Sequence, residues 1–386
     1  MEKKRNYGLD FLRGILCIMV FIGHYYFPEL SDNKIEVIRA FSGGNAVTGW
    51  FVLSGFTTIY YSKQETSAPL LTSCLNKYKR QFKKIYPVYL ISTLFSLAAL
   101  PVDFVNLTGG GYSPKSLFIV ITHLSLTQWL YPTDANIQAY ASTGWYVSAV
   151  LPLYFISPIL KKRIDNFEEK GGIFYNFILW IILYVMELTI LSHYFNTALY
   201  MTPFFRATEF MGGMLIADFL LQKKYIVTKN SFVISIIVWI LMLLMTRSFN
   251  ELGPKQMLTT APFIMLVIMN IFSISTNTNH RRDSYRDFTI CGDHKALRFQ
   301  GFYILVHCLK KLIITISKYS MWVFLLQYTI LRYQKKYELQ YPAVSGLEII
   351  VRLIFWFAVT LILSMIMDKL MNYIIREANI NKNNGC

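Results

Sequence analysis

The feature that most constrains this chain is a series of apolar runs, most of them long enough to cross a lipid bilayer. An α-helix needs about 20 apolar residues to span roughly 30 Å of hydrocarbon, where its backbone polar groups must be paired internally. The pattern therefore predicts an all-α, polytopic integral membrane helical bundle. Eleven candidate runs lie at residues 9–28, 44–62, 85–103, 116–130, 143–160, 173–195, 199–222, 231–247, 257–275, 317–333 and 347–371.

The basic residues between these runs predict the topology. Loops rich in Lys and Arg stay in the cytoplasm, and the basic segments 1–5, 63–84, 161–163, 222–230 and 280–299 all do so if the short run 116–130 does not cross. We therefore expect about ten transmembrane helices with cytoplasmic N- and C-termini. One basic segment, 332–340, disagrees, and this scheme makes it an outer loop.

The whole chain, 1–386, is predicted to form a single membrane-embedded domain with helices over roughly 9–371. Residues 104–142 are expected as one outer segment, where His123 is either solvated or close to a substrate, and residues 276–301 as a cytoplasmic loop. No small-residue cleavage site follows the first run, which predicts a retained helix.

Composition excludes several classes of function. The net charge of +16 comes from residues placed between apolar runs, so it indicates topology and not a nucleic-acid partner. Five cysteines show no CxxC spacing, so neither a disulfide framework nor a metal site is predicted.

Ionisable side chains in the first run point to a functional surface. At 100° per residue, Asp10, Arg13, Cys17 and His24 share one helical stripe, and charge in a membrane helix usually faces the bundle interior. Asp10 and Arg13 can pair. Arg13 and His24 lie about 16 Å apart along the helix axis, so one long ligand can meet both. The alternatives are a juxtamembrane anchor for Arg13 and an interfacial position for His24.

Several motifs in order resemble the membrane-bound acyltransferase 3 family, whose members O-acylate carbohydrates of the cell envelope. The resemblance rests on "LDFLRG" at 9–14 with His24, "WFVLSGF" at 50–56, "YKRQFKKIYPVYL" at 78–90, "GWYVSAVLPLYFISP" at 144–158, "FRATEFMGGMLIA" at 205–217 and "SMWVFLLQYTIL" at 320–331. Two positions depart from the family pattern: Val150 replaces a Glu and Gln327 replaces a His that many members have. Neither missing residue is essential here if the activity holds.

The resemblance implies transfer of an acyl group, with acetyl favoured, from cytoplasmic acyl-CoA to a sugar hydroxyl. Acetyl-CoA is then a co-substrate, and no cofactor is permanently bound. The acceptor is expected to be an envelope or capsular polysaccharide or its lipid-linked precursor, at the outer face of a bacterial plasma membrane. The rival class is a transporter or flippase of a lipid-linked glycan, which also suits intramembrane charge.

The donor-binding residues are expected on the cytoplasmic side. Fixed positive charge there suits the phosphates of CoA, and the same residues serve equally as topology determinants. The candidates are Arg13, Lys79, Arg80, Lys83 and Lys84.

His24 is the predicted general base, because an imidazole titrates near neutral pH. Arg206 and Glu209 are expected to pair, and they either hold acceptor hydroxyls or lock two helices together.

Three further residues are candidates for the acceptor or oxyanion site. Trp145 and Tyr146 suit either sugar stacking or an interfacial aromatic belt, which is favoured. Ser54, beside Gly55, suits close helix packing better than a nucleophile.

Overall fold

The computed structural model describes residues 6–28, 30, 43–61, 68–99, 114–131, 133, 143–194, 201–222, 237, 261–262, 264–270 and 296–384. Within these ranges the fold is all-α, without a strand. The predicted run 231–247 lies outside the described residues except for residue 237. The principal helices are α1 Tyr7–His24, α2 Asn45–Tyr60, α3 Leu70–Ala99, α4 Pro114–Leu124, α5 Gly144–Tyr194, α6 Ala207–Gln222, α7 Ala296–Gln340 and α8 Gly346–Asn384.

Helix α1 is bounded by Asn6 at its N-terminal end and by Tyr25 at its C-terminal end. The Asn6 side chain accepts hydrogen bonds from the backbone N–H groups of Gly8 and Leu9, at 2.9 and 3.2 Å, which pairs two amides that a helix start leaves open. The helix ends at His24, because Tyr25 adopts an extended conformation. These caps determine where the charged residues of α1 sit.

Helix α5 is two helical segments joined at a break. Gly172 has φ +73°, in the left-handed region that favours glycine, and the helical path changes there. The segment before the break packs against α3, and the segment after it packs against α6.

The packed helices run in the relative directions that the predicted topology requires. Helices α1 and α7 are parallel, because Asp10 contacts Ser317 near one end and Tyr26, just beyond α1, contacts Gln334 near the other. Helices α7 and α8 are antiparallel, as are α3 and the first segment of α5. The number of crossings and the side of the termini remain predictions.

Two helices in the described part of the chain are long and apolar enough to cross a membrane, Tyr7–His24 and Gly346–Glu377, and Gly172–Glu187 is a shorter apolar helix. They differ in their surroundings, because 44% of the first window is buried and only 11% of the second. Helix α8 therefore exposes large apolar side chains such as Ile354, Phe355, Ile362 and Ile366, a surface that suits hydrocarbon.

Helix α7 corrects two sequence predictions. Residues 332–340 are helical and do not form a loop, because α7 continues through them to Gln340, and the segment 276–301, predicted as a loop, is helical from Ala296. The side of the membrane on which each lies remains a prediction. Polar contacts explain why α7 extends to Gln340. The buried Glu338 accepts a hydrogen bond from the Tyr25 hydroxyl at 3.0 Å and pairs with Arg352 of α8. Sequence alone does not show these partners.

The predicted outer segment contains a short helix, and its histidine is not solvated. Helix α4 has 11 residues, about 16 Å at 1.5 Å per residue, which is too short to cross a bilayer. His123 is buried, and the Gln128 amide nitrogen lies 2.8 Å from the Tyr89 hydroxyl and 3.2 Å from His123 Nδ1. Desolvation of this imidazole is therefore offset by hydrogen bonds.

The tightest helix contact joins α2 and α6. A Cβ atom added to Gly55 would collide with the carbonyl oxygen of Phe210, and one added to Gly213 would collide with the carbonyl oxygen of Val52. The two backbones therefore touch, an approach that only glycine allows. The helices are parallel, and Thr48 donates a hydrogen bond of 2.8 Å to Glu209 near their starts.

We expect Gly213→Ala to destabilise the protein, because the added methyl group meets backbone and not a flexible side chain. Overpacking costs about 1–3 kcal/mol, and this site should reach the upper end. Thermal unfolding of purified protein in detergent measures the effect. The matched control is Gly346→Ala, where a Cβ meets nothing within 4 Å. Equal melting temperatures for the two variants would contradict the contact.

Candidate active site

A cavity of about 640 Å³ lies between α1, α2, α3, the first segment of α5 and α7. Its lining runs from the N-terminal part of α1 and the C-terminal end of α2 toward the middle of the bundle. The wall mixes charged, hydroxyl and apolar side chains: Asp10, Arg13, Trp50, Leu53, Ser54, Thr57, Tyr61, Gln81, Lys84, Ile85, Tyr146, Val150, Tyr154, Ser317, Lys318, Ser320, Met321 and Phe324.

Positively charged side chains line the solvent-exposed opening of this cavity. Arg13 is partly exposed and its guanidinium lies 3.3 Å from Asp10 Oδ1, which confirms the expected pair. The buried Asp10 also accepts a hydrogen bond of 3.4 Å from the Ser317 hydroxyl. Lys84 and Lys318 are exposed on the same lining. Arg13 compensates the one buried carboxylate here, and Lys84 and Lys318 are two further cations that can meet an anionic ligand.

The inner end of the cavity is an aromatic floor with a hydroxyl pair beside it. We define the floor as Trp50, Tyr146 and Phe324, whose ring centroids lie 5.3 to 6.5 Å apart. The hydroxyl groups of Ser54 and Tyr146 are 2.8 Å apart, and either can donate. The cavity thus has a cationic opening and an inner end with hydroxyl hydrogen-bond donors.

A family model described as an acyltransferase domain, of the acyltransferase 3 type, matches residues 6–369. This chain belongs to that family. The match covers nearly the whole chain, so this protein is an acyltransferase of a membrane-associated family. Searches of curated proteins and of solved structures gave no match.

The structure brings only part of the predicted donor cluster of this acyltransferase to the cavity. Lys84 lines it, whereas Lys79, Arg80 and Lys83 are exposed elsewhere on α3. Helical phase explains this for Lys79 and Lys83, which lie about 140° and 100° from Lys84 around the helix. Arg80 is one turn before Lys84 on the same face, but it does not line the cavity. Lys318 of α7, which no sequence motif singles out, lines the same opening.

Several further lining residues were also missed, among them Gln81 and Tyr154. Gln81 lies one turn before Ile85 on the same face of α3, and Tyr154 lies two turns beyond Tyr146 on α5. Helical spacing from a predicted site residue is the signal that finds such positions, three residues from Lys84 for Gln81 and eight from Tyr146 for Tyr154.

His24 lies away from the cavity. It is exposed at the C-terminal end of α1, and its Nδ1 lies 2.8 Å from the Val20 carbonyl oxygen. The stripe that begins with Asp10 and Arg13 therefore has two separate ends, one in the cavity and one at the opposite end of the helix. The catalytic role of His24 remains a prediction.

Arg206 and Glu209 form a second buried polar cluster, separate from the cavity. Both side chains are fully buried, with Arg206 NH1 2.8 Å from Glu209 Oε1, so the predicted pair is confirmed. The guanidinium also lies over the rings of Phe51 and Trp145, at 5.2 and 5.6 Å from their centroids. Neither charge lines the cavity, which favours the helix-locking alternative.

The two positions that depart from the family pattern are both buried. Val150 lines the cavity with an apolar side chain. Gln327 lies in α7, fully buried and outside the cavity lining. Both substitutions relative to the family pattern, Val150 and Gln327, therefore lie in buried helical positions and not in a loop.

A cluster of three carboxylates elsewhere in the described part of the chain is partly charge-compensated. Carboxylate oxygens of Asp165, Glu168 and Asp218 lie within 4.8 Å of one another. Lys161 Nζ lies 2.9 Å from Asp218 Oδ1 and also pairs with Asp165. This cluster lies outside the cavity.

We expect Arg206→Met to lower the free energy of unfolding by about 3–5 kcal/mol, because it leaves Glu209 buried without its cation. The double variant Arg206→Met/Glu209→Met should recover part of the loss. Arg163→Met, at an exposed position, serves as the control, with an effect within about 0.5 kcal/mol. A single variant as stable as the control would show that the pair is not a lock.

Proposed function

We propose that this protein is a multi-pass plasma-membrane O-acyltransferase that takes its acyl group from acyl-CoA, with acetyl favoured. The observation that carries the proposal is the cavity, whose opening holds Arg13, Lys84 and Lys318 and whose inner end holds the Ser54–Tyr146 hydroxyl pair. The opening suits the phosphates of CoA. The more apolar interior, with Trp50, Leu53, Val150 and Phe324, suits an extended chain with a thioester at its end.

The cavity depth supports this orientation. Along α2 its lining extends from Tyr61 to Trp50, eleven residues, or about 16 Å at 1.5 Å per residue. A donor with its phosphates at the opening therefore presents its thioester near the aromatic floor. Hydroxyl donors at that depth suit the negative charge that develops on the thioester oxygen during attack.

The acceptor is proposed to be a hydroxyl of an envelope or capsular polysaccharide, or of its lipid-linked precursor, approaching from the end of α1 that carries His24. His24 takes the proton of the attacking hydroxyl, a new ester bond forms to the acyl carbon, and the carbon–sulfur bond breaks. The departing CoA thiolate then takes up a proton. Exposure of His24 leaves it accessible to a large acceptor.

Membership of the acyltransferase family decides against the transporter alternative. A flippase also requires a polar interior, but the family model that matches residues 6–369 is that of an acyltransferase domain. Hydrogen-bond donors near an expected thioester position suit group transfer better than simple passage.

We expect Lys84→Ala and Lys318→Ala each to weaken the binding of CoA about fivefold, because each removes a cation from the cavity opening. The dissociation constant is measured by titrating CoA into purified protein in detergent. Lys79→Ala is the matched control, since Lys79 is an exposed lysine of the same helix as Lys84 that does not line the cavity. Equal affinities for all three variants would argue against donor binding here.

His24→Ala should lower acylation of envelope glycans at least about a hundredfold, the usual contribution of a general base. Mass spectrometry of glycans from cells with matched protein levels measures the acyl content. Arg13→Ala should lower acylation too, and it should also weaken CoA binding, which His24→Ala leaves unchanged. Unaltered acylation in the His24 variant would remove its assignment as the base.

A further inference from the structure

One face of α7 carries a polar stripe that is turned toward α1. At 100° per residue its four members lie within about 100° of one another. Cys17 of α1 lies 4.0 Å from the backbone oxygen of one of them, Ser320, which fixes the direction of this face. The stripe consists of Ser317, Ser320, Gln327 and Gln334.

The two ends of the stripe make polar contacts with α1 and the residues that follow it. The Ser317 hydroxyl donates to Asp10. Gln334 Nε2 donates to the Tyr26 carbonyl oxygen at 2.8 Å, and its Oε1 accepts from the Tyr26 N–H at 3.2 Å. Hydrogen bonds therefore join α7 to α1, or to the residues that follow α1, at both ends of the stripe.

Gln327 differs from its neighbours on the stripe. Its side chain is fully buried, and neither its amide nitrogen nor its amide oxygen hydrogen-bonds to any residue that the structure describes. An unsatisfied buried amide costs free energy that a residue such as Met would not. Such a group is costly unless a ligand completes its hydrogen bonds.

Gln327 lies at a level of the bundle between the cavity and His24. It lies one turn beyond Phe324 of the aromatic floor, on the α1 side. Since α1 and α7 are parallel and in contact at Asp10 and Tyr26, this level falls between Arg13 and His24. That is the stretch through which an acyl group would pass from the cavity to the proposed base.

We propose that Gln327 binds a carbonyl or amide group at the sulfur end of the acyl-CoA arm. A carboxamide offers one acceptor and two donors, which matches a secondary amide and, through its N–H groups, a thioester carbonyl. The arm reaches it by displacing the side chain of Phe324. The proposal rests on the proposed function, because it presumes acyl-CoA in the cavity.

The test compares three ligands on purified protein in detergent: adenosine 3′,5′-bisphosphate, CoA and acetyl-CoA. The first carries only the charged end, the second adds the arm with its amides, and the third adds the thioester carbonyl. We expect wild-type protein to bind CoA or acetyl-CoA more tightly than the bisphosphate. Gln327→Met should weaken that extra binding about tenfold and leave the bisphosphate affinity unchanged.

Gln334→Met provides the matched control, since it removes the same residue type from the same stripe seven positions further along. Gln334 has partners on Tyr26, so its loss should lower the melting temperature and leave the ligand affinities unchanged. Gln327→Met should leave the melting temperature of the ligand-free protein equal or higher. A merely structural role for Gln327 predicts the opposite pattern.

Each outcome is decisive. If Gln327→Met loses the advantage of CoA over the bisphosphate, the amide of the arm is the ligand group, and if it loses only the advantage of acetyl-CoA over CoA, the thioester carbonyl is. If wild type and Gln327→Met bind all three ligands alike, the Gln327 proposal is overturned while acyl-CoA binding stands. If wild-type protein binds none of them, the donor assignment fails and this inference falls with it.

Discussion

The contact between the backbones of α2 and α6 is the constraint on which the interior of this acyltransferase depends. Because Gly55 and Gly213 have no side chains, the two helices approach until their backbones touch. This approach brings Thr48 to Glu209 on one side. The same rigid α2 presents Trp50 and Ser54 to the cavity. A larger residue at Gly55 or Gly213 would separate the two helices, and it would displace both the Thr48–Glu209 contact and the α2 wall of the cavity.

The structure keeps two of its buried polar regions apart. The cavity holds Arg13 and Asp10, and the second region holds Arg206 and Glu209. Aromatic rings stand between them, with Phe51 in contact with Tyr146 on one side and under the Arg206 guanidinium on the other. Charge in the second region is compensated locally, so the cavity cations are not consumed by it and stay available to a ligand.

The sequence predicts those features that depend on one helix and misses those that depend on two. Periodicity alone places Asp10 and Arg13 on a common stripe and predicts their pairing, which the structure confirms. It does not separate Lys84 from Lys79, because the orientation of α3 is set by its neighbours. It also mistakes 332–340 for a loop, since Glu338 is stabilised by Arg352 of another helix. The all-α class follows directly from the apolar runs, whereas the number of crossings remains a prediction.

The parallel pairing of α1 with α7 has a consequence for biosynthesis. Asp10 accepts a hydrogen bond from a serine 307 positions later in the chain. At about 5–20 residues per second of translation, roughly 15 to 60 s pass between synthesis of the two partners. During that interval the first helix holds its charged stripe without its final neighbour. Until α7 is synthesised, the Asp10 side chain of α1 therefore lacks its hydrogen bond from Ser317.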